Sequence, residues 1–343
     1  MNPPRDGEMA PGHPGVGSRP AEEALTVSQE QEALEEELED AVTAVEEETE
    51  EAAVEKATTL TSKLVYEVIR RNGEEELERP LRSLVWSGVA AGMMISFSVL
   101  GEAIFRTYLP DEPWRPLLEN LGYSLGFMIV IMGRMQLFTE NTITTTLPLM
   151  ARPSWAVLAR VARLWGAVLA ANLVGAFAAA ILFAHSGAVA DGFQPALLSL
   201  SEHAVTMPPW QGFMRGVPAG ILIAAIVWMM PRSEHSSFFI ILAFTWLIAA
   251  GDFTHIVAGS VEMAYMLVTG HLGLGAAAFG FFLPVLAGNV IGGTAIFTLM
   301  AWGQVKDELR RARRDAREAE AREAAEAEAK AREATAAGTK ART

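Results

Sequence analysis

Six ionisable side chains stand inside or beside apolar stretches of this 343-residue chain: Glu102, Arg134, Glu140, Asp252, His255 and Glu262. A charge in hydrocarbon is costly, so such residues face a protein interior or a watery path and mark candidate sites of proton or ion handling. Four of them fall in two short segments, Gly133 to Glu140 and Gly251 to His255, each opened by a glycine and each holding a phenylalanine and a threonine. Imidazole exchanges a proton near neutral pH, and a neighbouring carboxylate favours its charged form. If the two segments meet, Thr139 and Glu140 come face to face with Thr254 and His255, with Phe138 and Phe253 as apolar constrictions. Arg134 is then a candidate partner for Glu140 or Asp252. Glu102 and Glu262 lie towards the ends of their stretches and are read as facing headgroups, and His185 and His203 as solvated in an outer loop.

Other chemistries are excluded early. The chain has no cysteine, which removes disulfides, thiolate catalysis and cysteine-based metal sites. No cofactor, metal or nucleic-acid partner is called for. The marks of an intramembrane enzyme, a Gly-x-Ser-x nucleophile with histidine, paired aspartates or His-Glu-x-x-His, are read as absent.

The elements that must position these residues are apolar helices. A helix needs roughly 20 apolar residues to cross about 30 Å of hydrocarbon. The candidate spans are 83–105, 117–150, 156–183, 212–230, 237–269 and 276–303. The second and fifth are too long for one clean helix and carry the two polar segments near their middles. The predicted fold class is therefore an all-α membrane protein with six transmembrane helices, broken in helices 2 and 5. Three regions follow: an acidic tail over 1–71, a channel domain over 79–303 and a charged helix over 304–343. Residues 1–56 carry 17 acidic and 3 basic side chains, net −14, which equals the charge of the whole chain. The low isoelectric point therefore belongs to the tail. Arg70, Arg71, Arg79, Arg82, Arg152 and Arg232 outweigh Arg106, Arg115 and Arg215 on the opposite side, which places both termini in the cytoplasm.

The chain also resembles itself. Leu137-Phe138-Thr139-Glu140 is matched by Asp252-Phe253-Thr254-His255 at an offset of 115, and Asn172-Leu173-Val174-Gly175-Ala176 by Asn289-Val290-Ile291-Gly292-Gly293 at 117. Ala91-Gly92 is echoed by Ala219-Gly220 at 128. Spans 1–3 and 4–6 read as two copies of a three-helix unit, and an odd number of spans inverts the second copy. Inverted repeats place a transport pathway at their interface, lined by broken helices; irregular backbone at that depth is tolerated where it lines a cavity.

At these residues the chain resembles the formate/nitrite transporter family over about 83–303. Leu137-Phe138-Thr139 is similar to the family's second-helix loop, Asn172 to Ala176 to its third-helix motif, and Gly251 to His255 to its fifth-helix loop ending in a central histidine. Gly288-Asn289-Val290-Ile291-Gly292-Gly293, after Pro284, is similar to its sixth-helix signature. The resemblance implies an aquaporin-like bundle, a homopentamer in a bacterial inner membrane, one pore per protomer, and small monovalent anions or their acids as solutes. It implies that Thr139 hydrogen-bonds His255 and that Arg163 or Arg160 is the basic residue at the cytoplasmic approach. The sequence departs from the family pattern at Glu140, where a small residue is usual, at Gln136 and Thr254, where acidic residues are usual, and at Gly259, which replaces an asparagine. Two variants stay open. Either Glu140 is paired and the path carries weak acids through protonation of His255, or it is free and the path suits a neutral or cationic solute.

Overall fold

The computed structural model describes residues 61–233, 236–308, 310, 311 and 314, within the compact unit that begins at Leu60. The part before residue 61 of the acidic helix expected over 21–71, and the end of the charged helix beyond 314, lie outside the described residues.

The described chain is helical. Helix α1 (Ser62–Glu78) starts where the Thr61 side chain accepts the Leu64 amide, a side-chain cap. Its Val65, Tyr66 and Ile69 share one face at helical spacing and are buried with Ile143, Leu147, Ala224 and Val305. The tail boundary expected at 71 thus falls inside a helix that packs on the body. The boundary expected at 304 fails likewise, because Val305 is fully buried in the same cluster. Charged residues hid both contacts: Glu67, Arg70 and Glu74 ride the other face of α1, joined by ion pairs at 2.5 Å. The hydrogen bonds from Arg70 pull the Glu67 carboxyl from the ordinary 4.5 down to about 2 and hold the guanidinium proton more tightly.

Four helices are long and apolar enough to cross a membrane: α2 (Leu81–Tyr108), α7 (Trp155–His185), a helix over Pro209–Arg232 whose α-helical part is α9 (Pro209–Met229), and α12 (Ala276–Glu308). Between them the chain forms shorter pieces. After the one-turn α3 (Arg115–Glu119), α4 (Tyr123–Met132) is followed by an extended break and then α5 (Phe138–Thr144) and α6 (Thr146–Ala151). Helix α10 (Ser237–Ala250) is followed by a second extended break and α11 (Ile256–Val268). These are the interruptions expected in the second and fifth apolar stretches.

The segment between α7 and α9, expected as a solvated outer loop, instead forms α8 (Gln194–Val205). Ala196, Leu197, Leu200 and Val205 recur on one face and join the main core. In α12, two stretches of wider π-helical winding (Ala276–Phe282 and Ile291–Thr298) flank Leu283–Val290. Pro284, which has no amide to donate, lies just after the first of them. Large apolar and aromatic side chains such as Trp86, Trp155, Trp210 and Phe279 remain exposed on the outside, as a surface in contact with lipid requires.

Candidate functional site

Two asparagines build the site. Asn172 on α7 accepts the amide of Phe138 through Oδ1 (2.9 Å), and its Nδ2 donates to the carbonyls of Gly88 and Gln136 (2.8 Å each). Asn289 on α12 accepts the amide of Ile256 (2.8 Å) and donates to the carbonyls of Gly216 (2.9 Å) and Thr254 (2.8 Å). Each side chain therefore satisfies two backbone groups that a broken helix leaves without partners and ties them to a carbonyl of a neighbouring helix. Both asparagines are buried.

The two breaks match in detail. Arg134 and Asp252 both adopt positive φ, 49° and 53°, each one residue after a glycine. Leu137 and His255 both cap the following helix from extended backbone. The amide of Gln136 donates to Ser87 Oγ (3.0 Å) and that of Thr254 to the Arg215 carbonyl (3.3 Å). A Cβ on Gly92 would strike the Asn172 carbonyl, and one on Gly220 the Asn289 carbonyl, which is why both positions need glycine. This geometry corrects the repeat register at the breaks. The offset is 118, pairing Leu137 with His255 and Gln136 with Thr254, not the 115 suggested by the shared Phe-Thr. That dipeptide recurs by coincidence, because the repeating feature is backbone shape and the asparagine that holds it. The offsets of 117 for the asparagines and 128 for the glycines agree with the contacts.

The breaks meet at one side-chain contact. Thr139 Oγ1 lies 2.7 Å from His255 Nε2, with both residues buried. His255 Nδ1 accepts the Ala258 amide at 3.3 Å, so that nitrogen carries a lone pair and Nε2 carries the ring proton. The ring is therefore a neutral imidazole donating to Thr139, whose own hydroxyl proton is free to point elsewhere. Phe127 packs edge-on to the imidazole, ring centroids 4.9 Å apart.

The expected pairing of Glu140 with His255 is not formed, since both ring nitrogens are engaged by other groups. Glu140 Oε1 is buried without a hydrogen-bond partner, and the charged group within its electrostatic reach is another carboxylate, Glu76. Arg134 does not neutralise it: this side chain is exposed and makes no ion pair among those described. Asp252 is bound instead by Arg215 and by His203, the latter at 3.0 Å. His203 is thus a partner in an ion-pair cluster. Arg163 is exposed and donates to the Leu77 carbonyl at 3.4 Å; Arg160 is exposed too. Thr254 Oγ1 donates to the Gly212 carbonyl at 2.7 Å. Phe138 is buried edge-on to Trp165, whereas Phe253 lines a cavity.

That cavity has a volume of ≈ 410 Å³ and has Thr254 and His255 in its wall. Glu102, Glu262 and Tyr123 are in its wall. The two glutamates, expected to face headgroups, are 6% and 9% exposed. Sequence reasoning undervalued them because 160 residues separate them and each lies near the end of an apolar stretch; the one available signal was the rarity of carboxyls in such stretches. At the mouth, Glu119 is held by Arg106 (2.8 Å) and Arg115 (3.4 Å).

One pattern taken as absent does occur: Gly122-Tyr123-Ser124-Leu125-Gly126 has the Gly-x-Ser-x-Gly spacing. Ser124 is fully buried and its hydroxyl donates to the Leu242 carbonyl at 3.2 Å, so it is not presented as a nucleophile. Among the described residues no group of three His, Cys, Asp or Glu is placed to hold a metal ion.

Comparison with known proteins gives a coherent set. The family model for the formate/nitrite transporter matches residues 63–303. The inner membrane protein YfdC of Escherichia coli (strain K12) is 42% identical over 262 residues, covering 76% of this chain and 83% of that protein. The formate channel FocA of Haemophilus influenzae is 27% identical over 202 residues, covering 57% and 69%. Among solved structures, a pentameric formate channel with formate bound matches with a TM-score of 0.57 at 19% identity, covering 66% of this chain and 97% of that one.

Proposed function

The chain belongs to the formate/nitrite transporter family, and from that premise we propose that this multi-pass membrane protein passes small monovalent weak acids of the formate or nitrite kind. The solute crosses without bare charge, neutralised on the path that leads to Thr139 and His255. The observation that carries this reading is the buried 2.7 Å contact between Thr139 Oγ1 and His255 Nε2, made where two broken helices meet. A bare anion in a low-dielectric passage is costly, and a proton removes that cost. The Nε2–H and the Thr139 hydroxyl are two donors of the kind a small carboxylate or nitrite accepts. His255 acquires a second proton only at Nδ1, which means giving up the Ala258 amide. Its protonation is thus tied to the start of α11.

In this proposal the four long helices and the two interrupted pairs make six crossings as two inverted three-helix units, with both termini on the cytoplasmic side. The protein works as a homopentamer with one path per protomer; the solved formate channel that it resembles is pentameric. The unpaired Oε1 of Glu140 favours a second reading, a path for a small neutral or cationic solute. Uptake into proteoliposomes decides between them. Formate, nitrite and acetate should enter faster than methylammonium or glycerol; the reverse order would establish the second reading.

A further inference from the structure

The cavity that leads to His255 is unlike a funnel for free anions. The arginine in its wall, Arg106, is already engaged by Glu119, which Arg115 also holds, and Asp252 in the same wall is bound by Arg215. Beside them stand Glu102 on α2 and Glu262 on α11, both more than nine-tenths buried and both in the cavity wall. No ion pair or hydrogen bond is described to either carboxyl group. They lie within Coulombic reach of each other and of Tyr123, whose hydroxyl also has no described partner. The other charged and titratable groups facing this space are Arg106, whose charge reaches both carboxyl groups, and Glu119, His203, Asp252 and His255. Two bare carboxylates confined together repel, and one shared proton relieves that repulsion and creates a hydrogen-bond donor aimed into the cavity.

We propose that Glu102 and Glu262 form a proton-exchanging station that neutralises the weak-acid anion before it reaches His255. The step balances simply. The carboxylic acid of the pair gives its proton to the incoming anion, yielding the neutral acid and a carboxylate, and a hydronium ion from the acidified side returns a proton to the pair and leaves as water. Tyr123 offers a hydroxyl to orient the anion during the exchange. The station resolves a difficulty at the centre of the path. His255, with Nδ1 taken by the Ala258 amide, would become an imidazolate if it released its Nε2 proton, so the neutral ring binds the solute without acidifying it. The net proton comes from a group that has one to give. The inference rests on the weak-acid reading above, and its test separates the two.

Wild type, Glu102→Gln, Glu262→Gln, the double amide and Glu102→Asp are reconstituted, each checked for the wild-type oligomeric mass. Uptake of labelled formate is then measured with the cavity side acidified in steps. Wild-type uptake rises as that side is acidified. The double amide has nothing to exchange, so its uptake falls by at least about tenfold and loses the rise with acidity. Glu102→Asp, which keeps an acid, retains the rise at reduced rate. A double amide that keeps the wild-type rate and pH slope overturns the station, as does an aspartate variant that loses the rise together with the amides. Wild type taking up no formate, nitrite or acetate while passing methylammonium would instead overturn the weak-acid reading, with the pair then a cation site.

Discussion

The two helix breaks share a scaffold and differ in chemistry. In each, a glycine, a positive-φ residue and an extended cap are gripped by one asparagine from a long helix. At the first break the cap is Leu137 and the positive-φ residue is the unpaired Arg134; at the second they are His255 and the clamped Asp252. What the repeat preserves is the means of satisfying a broken backbone, and what it leaves free is the side chain aimed into the path. A duplicated scaffold therefore carries a single imidazole where the two breaks meet. The first half supplies a hydroxyl for it, from Thr139.

The comparison breaks most visibly at the asparagines. Asn172→Ala and Asn289→Ala each strand two buried backbone groups of a break, at roughly 1–3 kcal/mol apiece. Both variants should fail to assemble or melt far below wild type in detergent, to a similar extent. If one is tolerated and the other is not, the two scaffolds are not equivalent.

Giving the second break the cap of the first should separate scaffold from chemistry. His255→Leu is expected to keep assembly and lose formate uptake by about a hundredfold, the scale of a lost proton-handling group. Thr139→Val removes the 2.7 Å partner of the ring and should reduce uptake less, since the imidazole survives. Equal uptake by His255→Leu and wild type would leave His255 as a structural cap.

How much of this was legible in the sequence follows from the kind of signal each part leaves. The apolar stretches, their two interruptions and the asparagines at an offset of 117 stand out because burying polar groups in such stretches is rare. The contact of Thr139 with His255 was implied by the resemblance and is present at hydrogen-bond distance. The register of the breaks was not legible, because Phe-Thr recurs three residues out of step while the true correspondence lies in φ angles and amide partners. Glu102 and Glu262 meet through packing of α2 on α11, which no local pattern announces. The apolar face of α1 was masked by the charges on its other side.

Smaller effects sharpen the picture. Glu140→Gln should leave the pH profile of uptake unchanged, because Glu140 makes no contact with His255. A midpoint that moves to lower pH would show the two are coupled after all. The smallest effect concerns α1. The carboxyl of Glu67 is held at about 2, below its ordinary 4.5, by Arg70, so its contribution to stability is full above the ordinary value and is lost as pH falls towards 2. Glu67→Gln should therefore lower the melting temperature slightly, by about 1 kcal/mol or less for a pair that is only partly buried. The deficit should hold from neutrality to about pH 5 and shrink on further acidification. A deficit that grows in acid would mean the pair is not what holds α1.

The central claim is that the solute crosses neutral, and the charge moved per solute tests it most directly. Wild-type proteoliposomes are given a formate gradient, and labelled uptake and membrane current are recorded on the same preparation. The account predicts rapid uptake with almost no net charge transferred and an accompanying alkalinisation of the side formate leaves. One negative charge moved per formate, with uptake that follows an imposed voltage, would contradict it.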